Sequence, residues 1–203
     1  MTQTTLYLIR HTEPAVRGIC YGALDVPLSA GGLAHAQTIA AELAGEKFAT
    51  IYTSPLRRCF DLARILGEGR TCPLETVAAL RELDFGRFEG RTYEDLARDY
   101  PDVYARWMES PTEVEFPGGE SFTIMRTRVL AAARKLQLRH AGESVAVVTH
   151  GGVIRILLAE AQCLDPRRIF EIDVPYGPIR RVALPWDPAS PPGAPADTTP
   201  RPR

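Results

Sequence analysis

The stretch Leu6-Tyr7-Leu8-Ile9-Arg10-His11-Thr12-Glu13 decides how the chain is read. Four apolar residues in a row, ending in β-branched Ile9, suit a buried strand of a parallel sheet. The run passes straight into Arg10 and His11, so both sit at the strand's carboxyl end, where open α/β sheets bind ligands. A second stretch ends in the same way: Ser144-Val145-Ala146-Val147-Val148-Thr149 leads into His150-Gly151-Gly152. If the two strands are neighbours, their imidazoles face one crevice. The two glycines then allow close backbone approach, and the helix they open favours an anion at its N-terminus. Either histidine alone reads equally well as structural or solvent-exposed; the pair points to chemistry.

Outward from these strands, helical and extended patterns alternate. Ser29 precedes a helix from Ala30 to Ala44 with Leu33, Ala36, Ala40 and Leu43 on its apolar face. Phe48 to Thr53 reads as a strand, and Ser54-Pro55 as the N-cap and first turn of a helix reaching Leu66. A third strand is expected from Thr76 to Leu80, running into Glu82. Tyr93 to Met108 is polar, aromatic and helical with a break at Pro101, and residues 93–120 read as an insertion or lid. Ser121 caps a long helix to His140, a further helix starts at Val153, and Ile169 to Val174 and Ile179 to Leu184 are read as the last strands. The alternation implies an α/β fold, a three-layer α/β/α sandwich with a mostly parallel central sheet. One domain spans residues 1–184. Residues 185–203, rich in proline, alanine and small polar residues, cannot bury a core and read as a disordered tail.

The 203 residues include 45% hydrophobic and 24% charged side chains, and the formal net charge is -1, against the basic excess of a general nucleic-acid binder. Cys20, Cys59, Cys72 and Cys163 form no CxxC pair and no metal-type spacing. The apolar run after Met1–Thr5 is too short for a signal core, and no stretch approaches a membrane span. The expectation is a cytoplasmic protein with free thiols, no metal and no membrane or nucleic-acid partner. A homodimer is compatible with the sequence and not decided by it.

Arginines gather near the same edge: Arg10 beside His11, and Arg57-Arg58 on the helix after the second strand. Only one of the latter pair can face a crevice, and a surface arginine is usually just solubilising. A planar guanidinium is nevertheless the natural partner of phosphate oxygens. Glu82 stands at the expected end of the third strand, where a surface ion pair with Arg81 is the plainer reading.

Four blocks together resemble the histidine phosphatase (phosphoglycerate mutase-like) superfamily: Arg10-His11-Thr12-Glu13, Ser54-Pro55-Leu56-Arg57-Arg58, Leu80 to Gly90, and Val148-Thr149-His150-Gly151-Gly152. They occur in the family's order across about residues 5 to 184. The resemblance implies a metal-independent phosphomonoesterase that needs no cofactor and acts on a small-molecule phosphomonoester. His11 is then the nucleophile, and Arg10, Arg58 and His150 hold the phosphate oxygens. Glu82 protonates the leaving oxygen and later activates water. His11 must be neutral to attack, and flanking arginines push it that way. Substrate contacts from Gly151, Thr12, Tyr21 and Gly22 are also implied.

The loop Gly18 to Leu28 and the segment Phe116-Pro117-Gly118-Gly119-Glu120-Ser121 look most like the α-ribazole phosphatase branch, whose substrate belongs to cobalamin biosynthesis. Tyr21, Trp107 and Phe116 could stack on a ring-containing leaving group, with ordinary packing the plainer reading of Trp107. A broad-specificity phosphatase, a cofactor-dependent phosphoglycerate mutase and a non-catalytic phosphate-binding module are the alternatives. One block departs from the family. After Arg-His the family carries a Thr or Ser and then an Asn that hold phosphate, and here the positions read Thr12, Glu13, Pro14 and Arg17. Thr12 and Arg17 are the candidates to fill that gap.

Overall fold

The computed structural model describes residues 3–186. Five strands form one sheet: β1 (Thr5–Arg10), β2 (Thr50–Thr53), β3 (Leu74–Thr76), β4 (Ser144–Thr149) and β5 (Arg180–Val182), in the order β3-β2-β4-β1-β5. The β3/β2, β2/β4 and β4/β1 pairs are parallel, and only β5 runs antiparallel, against β1. Because a strand's side chains alternate between faces, Leu6, Leu8, Val145 and Val147 point to one side and Tyr7, Ile9, Ala146 and Val148 to the other. The first face is covered by α5 (Phe122–Arg139) and α6 (Gly151–Ala161), the second by α1 (Ala30–Glu42) and α2 (Arg57–Gly67). The result is the three-layer sandwich with the mostly parallel sheet that the sequence implies. Two short helices, α3 (Tyr93–Asp99) and α4 (Pro101–Glu109), lie in the segment read as an insertion.

The β1/β4 register sets Arg10 opposite Thr149. The ladder continues one residue further, where the His11 N–H donates to the Thr149 carbonyl at 2.9 Å. Both histidines therefore leave the sheet side by side.

Four local readings are corrected. The third strand starts earlier and ends at Thr76, and Ala78–Leu80 form a 3₁₀ turn. Its partner β2 ends at Thr53, opposite Thr76, so no ladder exists beyond that point. Ile169 to Val174 is not a strand. Pro166–Glu171 form a 3₁₀ turn in which the Asp165 side chain accepts from the Arg167 N–H, and the free edge of β1 is taken by β5. Ser54 does not cap α2; its first turn instead donates the Arg57 N–H to Asp25 Oδ1 at 2.7 Å. The chain also remains anchored past Leu184. Trp186 Nε1 donates to Glu160 at 2.9 Å, and its carbonyl accepts from Gln137. The rest of the segment read as a disordered tail lies outside the described residues. No helix among the described residues is long and apolar enough to cross a membrane.

Candidate active site

His11 and His150 meet edge to face, with ring centroids 5.3 Å apart, and are only 3% and 0% exposed. The Nδ1 atom of His11 lies 2.8 Å from the Thr12 carbonyl. A carbonyl can only accept, so Nδ1 carries the proton and Nε2 keeps its lone pair. Burial, then the charge of Arg58, and more weakly that of Arg10, push the His11 imidazole down to about 3, against the opposing hydrogen bond to Thr12. Desolvation is thus the larger cause and the flanking arginines the smaller. His150 is held well below the usual imidazole range by burial and then by His11 and Arg58. Its Nε2 lies 2.7 Å from Ser54 Oγ and 3.4 Å from Cys59 Sγ. That cysteine's thiol is pushed up strongly by burial.

Arg58 is fully buried, whereas Arg57 is exposed. The Arg58 guanidinium donates to the carbonyls of Gly22 (2.6 Å) and Leu24 (2.9 Å), while its buried Nε has no hydrogen-bond partner. The loop that supplies those carbonyls is fixed by Glu89, whose carboxylate accepts from the backbone N–H groups of Gly22, Ala23, Leu24 and Phe85. Arg10 packs its guanidinium 4.1 Å above the Tyr176 ring and donates to the Val174 carbonyl, and its Nε is also buried without a partner. Two buried guanidinium N–H groups without acceptors are costly unless an anion meets them.

Glu82 follows the 3₁₀ turn, which Thr149 Oγ1 ties to the sheet by donating to the Leu80 carbonyl at 2.7 Å. Both carboxylate oxygens accept backbone N–H groups, from Leu83 at 3.0 Å and Gly152 at 3.1 Å. Arg128 on α5 holds the segment from behind. It donates to the carbonyls of Ala79, Arg81 and Glu82 and forms a two-pronged pair with buried Glu120.

A cavity of about 290 Å³ opens onto these groups. Arg10, His11, Tyr21, Arg58, Glu82 and Arg155 form its polar lining. Leu83, Phe85, Trp107, Phe122, Met125 and Phe170 form much of the apolar remainder. The structure thus brings Arg10, His11, Arg58 and Glu82 together, with His150 packed on His11. Tyr21 joins the wall, with its hydroxyl 3.2 Å from that of Tyr176. Gly22 contributes through its carbonyl, and Gly151 lies beside Arg10.

Thr12 has a different engagement: its hydroxyl donates to the Gly32 carbonyl at 2.7 Å. Arg17 pairs with Glu13 and is 82% exposed, away from the cavity. Neither fills the gap in the Arg-His loop. Phe116 is core, packed on Phe85, Phe88 and Trp107, so of the three aromatic residues read as stacking candidates Tyr21 and Trp107 line the cavity and Phe116 does not.

Sequence reasoning missed Tyr176, Arg155, Arg128 and Glu89. Of these only Arg155 carried a legible signal, four residues after Gly151 on one helix face. Among the described residues, no three His, Cys, Asp or Glu side chains converge as a metal site requires.

Comparison with known proteins agrees with this geometry. Residues 6–187 match the histidine phosphatase superfamily (branch 1). Phosphoserine phosphatase 1 of Hydrogenobacter thermophilus is 35% identical over 147 residues, covering 71% of this chain and 70% of the relative. The adenosylcobalamin/alpha-ribazole phosphatase of Escherichia coli is 30% identical over 174 residues, covering 85% and 86%. The crystal structure of the alpha-ribazole phosphatase from Shigella flexneri superposes with a TM-score of 0.82 at 27% identity, covering 89% of this chain and 93% of that one. With its paired histidines at adjacent strand ends and this match along most of its length, the chain is a phosphatase of the histidine phosphatase superfamily.

Proposed function

We propose that this phosphatase works through a phosphohistidine on Nε2 of His11, without a metal, and that its substrate is α-ribazole 5′-phosphate, a precursor in cobalamin biosynthesis. In the first step Nε2 attacks phosphorus, and the bond to the leaving oxygen breaks. Glu82 enters that step protonated and gives its proton to the leaving oxygen. In this reading Arg10, Arg58 and His150 hold the transferring oxygens. In the second step water attacks phosphorus, Glu82 takes the water's proton, the P–N bond breaks and phosphate leaves. His11 and Glu82 return to their starting states.

The observation that carries the choice of substrate is the character of the cavity beyond His11. Its apolar and aromatic wall, with Phe85, Trp107, Phe122 and Phe170, suits a flat ring system. Its single lining carboxylate among the described residues is Glu82, which this mechanism already uses, so no second carboxylate meets the ammonium of phosphoserine. The relatives named alpha-ribazole phosphatases support the same choice.

The test is kcat/KM in the presence of a chelator for α-ribazole 5′-phosphate, phosphoserine, 3-phosphoglycerate and nucleotides. α-Ribazole 5′-phosphate should lead phosphoserine by at least about tenfold, the scale set by burying a ring rather than a small polar group. Phosphoserine in first place would sink the substrate while leaving the family intact. In the same assay, acid-labile, base-stable phosphoenzyme should form in the wild type and not in His11→Ala. Undiminished turnover by His11→Ala would sink the mechanism.

A further inference from the structure

Helix α6 opens with Gly151 and Gly152 and carries Arg155 one turn later. Helical side chains lean toward the N-terminus, so Arg155 points back over Gly151 toward the site. The absent side chain at Gly151 leaves the room it occupies. A methyl group built there would sit 3.1 Å from Arg155 Nη1 and 3.5 Å from Arg10 Cζ. Two guanidinium groups therefore converge over one glycine. Arg155 Nε donates to the Ile172 carbonyl at 3.0 Å. Among the described residues its Nη groups have no acceptor and no carboxylate within ion-pair distance. Arg155 is half-buried, and its guanidinium is pulled below the usual range by burial and then by the charge of Arg10.

Arg10, Arg58, Arg155 and Glu82 are the charged residues of the cavity wall, and both histidines are neutral. Three guanidinium groups against one carboxyl group give this wall an excess of positive charge, suited to a phosphomonoester dianion. Thr12 and Arg17, the candidates to supply the missing contacts of the Arg-His loop, face elsewhere.

We infer that Arg155 is a third guanidinium ligand of the substrate phosphate, supplied from α6 through the space above Gly151. It replaces, by a charge, the hydroxyl and amide that the loop after His11 lacks. The inference rests on the phosphatase activity of this site and not on the identity of the leaving group.

Arg155→Gln is the decisive variant, because the glutamine amide nitrogen occupies the position of Nε. It can keep the bond to the Ile172 carbonyl while losing both Nη groups. Arg155→Met serves if that variant does not fold. The measurements are the inhibition constant of inorganic phosphate and kcat/KM for p-nitrophenyl phosphate and 3-phosphoglycerate, with a melting curve as control. The expected result is a phosphate inhibition constant raised at least about tenfold, the range of a lost charge-assisted hydrogen bond. kcat/KM should fall by a similar factor for both substrates, with melting unchanged in Arg155→Gln. An unchanged inhibition constant overturns the inference. So does a loss confined to 3-phosphoglycerate, which would make Arg155 an anchor for a leaving-group carboxylate. A wild-type protein that neither hydrolyses these esters nor is inhibited by phosphate would instead overturn the reading of the whole site.

Discussion

Gly152 shows how narrow the site's tolerances are at the level of one atom. A methyl group at this position would fall 2.4 Å from Glu82 Oε1 and 3.1 Å from the end of Met125. It would also disturb the backbone N–H that Glu82 Oε2 accepts. Gly152→Ala should therefore displace the carboxylate and leave the sheet alone. The expected outcome is a fall in kcat of about tenfold or more for an alkyl phosphate, whose leaving oxygen needs a proton, and much less for p-nitrophenyl phosphate. Equal losses on the two substrates would show that the displacement does not act through Glu82. At this scale the sequence was readable where a polar side chain ends a strand, as with Arg10, His11 and His150. It was silent at Tyr176 because an aromatic residue in an irregular loop has no periodicity to place it. It misdirected at Thr12, whose hydroxyl finds a carbonyl on α1.

Among the elements, α5 illustrates a helix whose polar positions matter as much as its apolar face. Met125, Val129, Ala133 and Leu136 cover the sheet, while Arg128 reaches across to the turn before Glu82 and to Glu120. The side chains of Arg128 and Glu120 are 13% and 7% exposed. Removing one member of such a buried pair leaves the other charge uncompensated, so Arg128→Met should cost about 3–5 kcal/mol in urea unfolding. A cost under about 1 kcal/mol would mean that solvent or Arg81 compensates Glu120. The Ser121 cap of α5 and its end near His140 were plain in the sequence. The short edge pieces were not. Thr76 to Leu80 and Ile169 to Val174 have strand-like composition, but β2 is too short and the edge of β1 too occupied to pair with them. Sheet membership depends on a partner as well as on propensity.

For the molecule as a whole, burying two neutral imidazoles links stability to acidity. In the unfolded chain both histidines titrate near 6.5, whereas in the folded protein His11 is lowered to about 3 and His150 is lowered too. Between those values the unfolded state binds protons that the folded state refuses, so stability falls as pH drops from about 6.5 toward 3. The urea midpoint should be lower at pH 5 than at pH 7, and the difference should shrink in His11→Gln. A midpoint indifferent to pH over that range would contradict the burial of neutral rings.

The register that joins Arg10 to Thr149 also has a temporal side. The two halves of the phosphate site come from strands near opposite ends of the domain, and they meet only when the longest-range parallel pairing closes. Pairings of that kind are slow to form because a large loop must be ordered first. During synthesis, His11 emerges early and waits for almost the whole domain before its partner histidine exists. The site is therefore complete only once the β1/β4 pairing has closed.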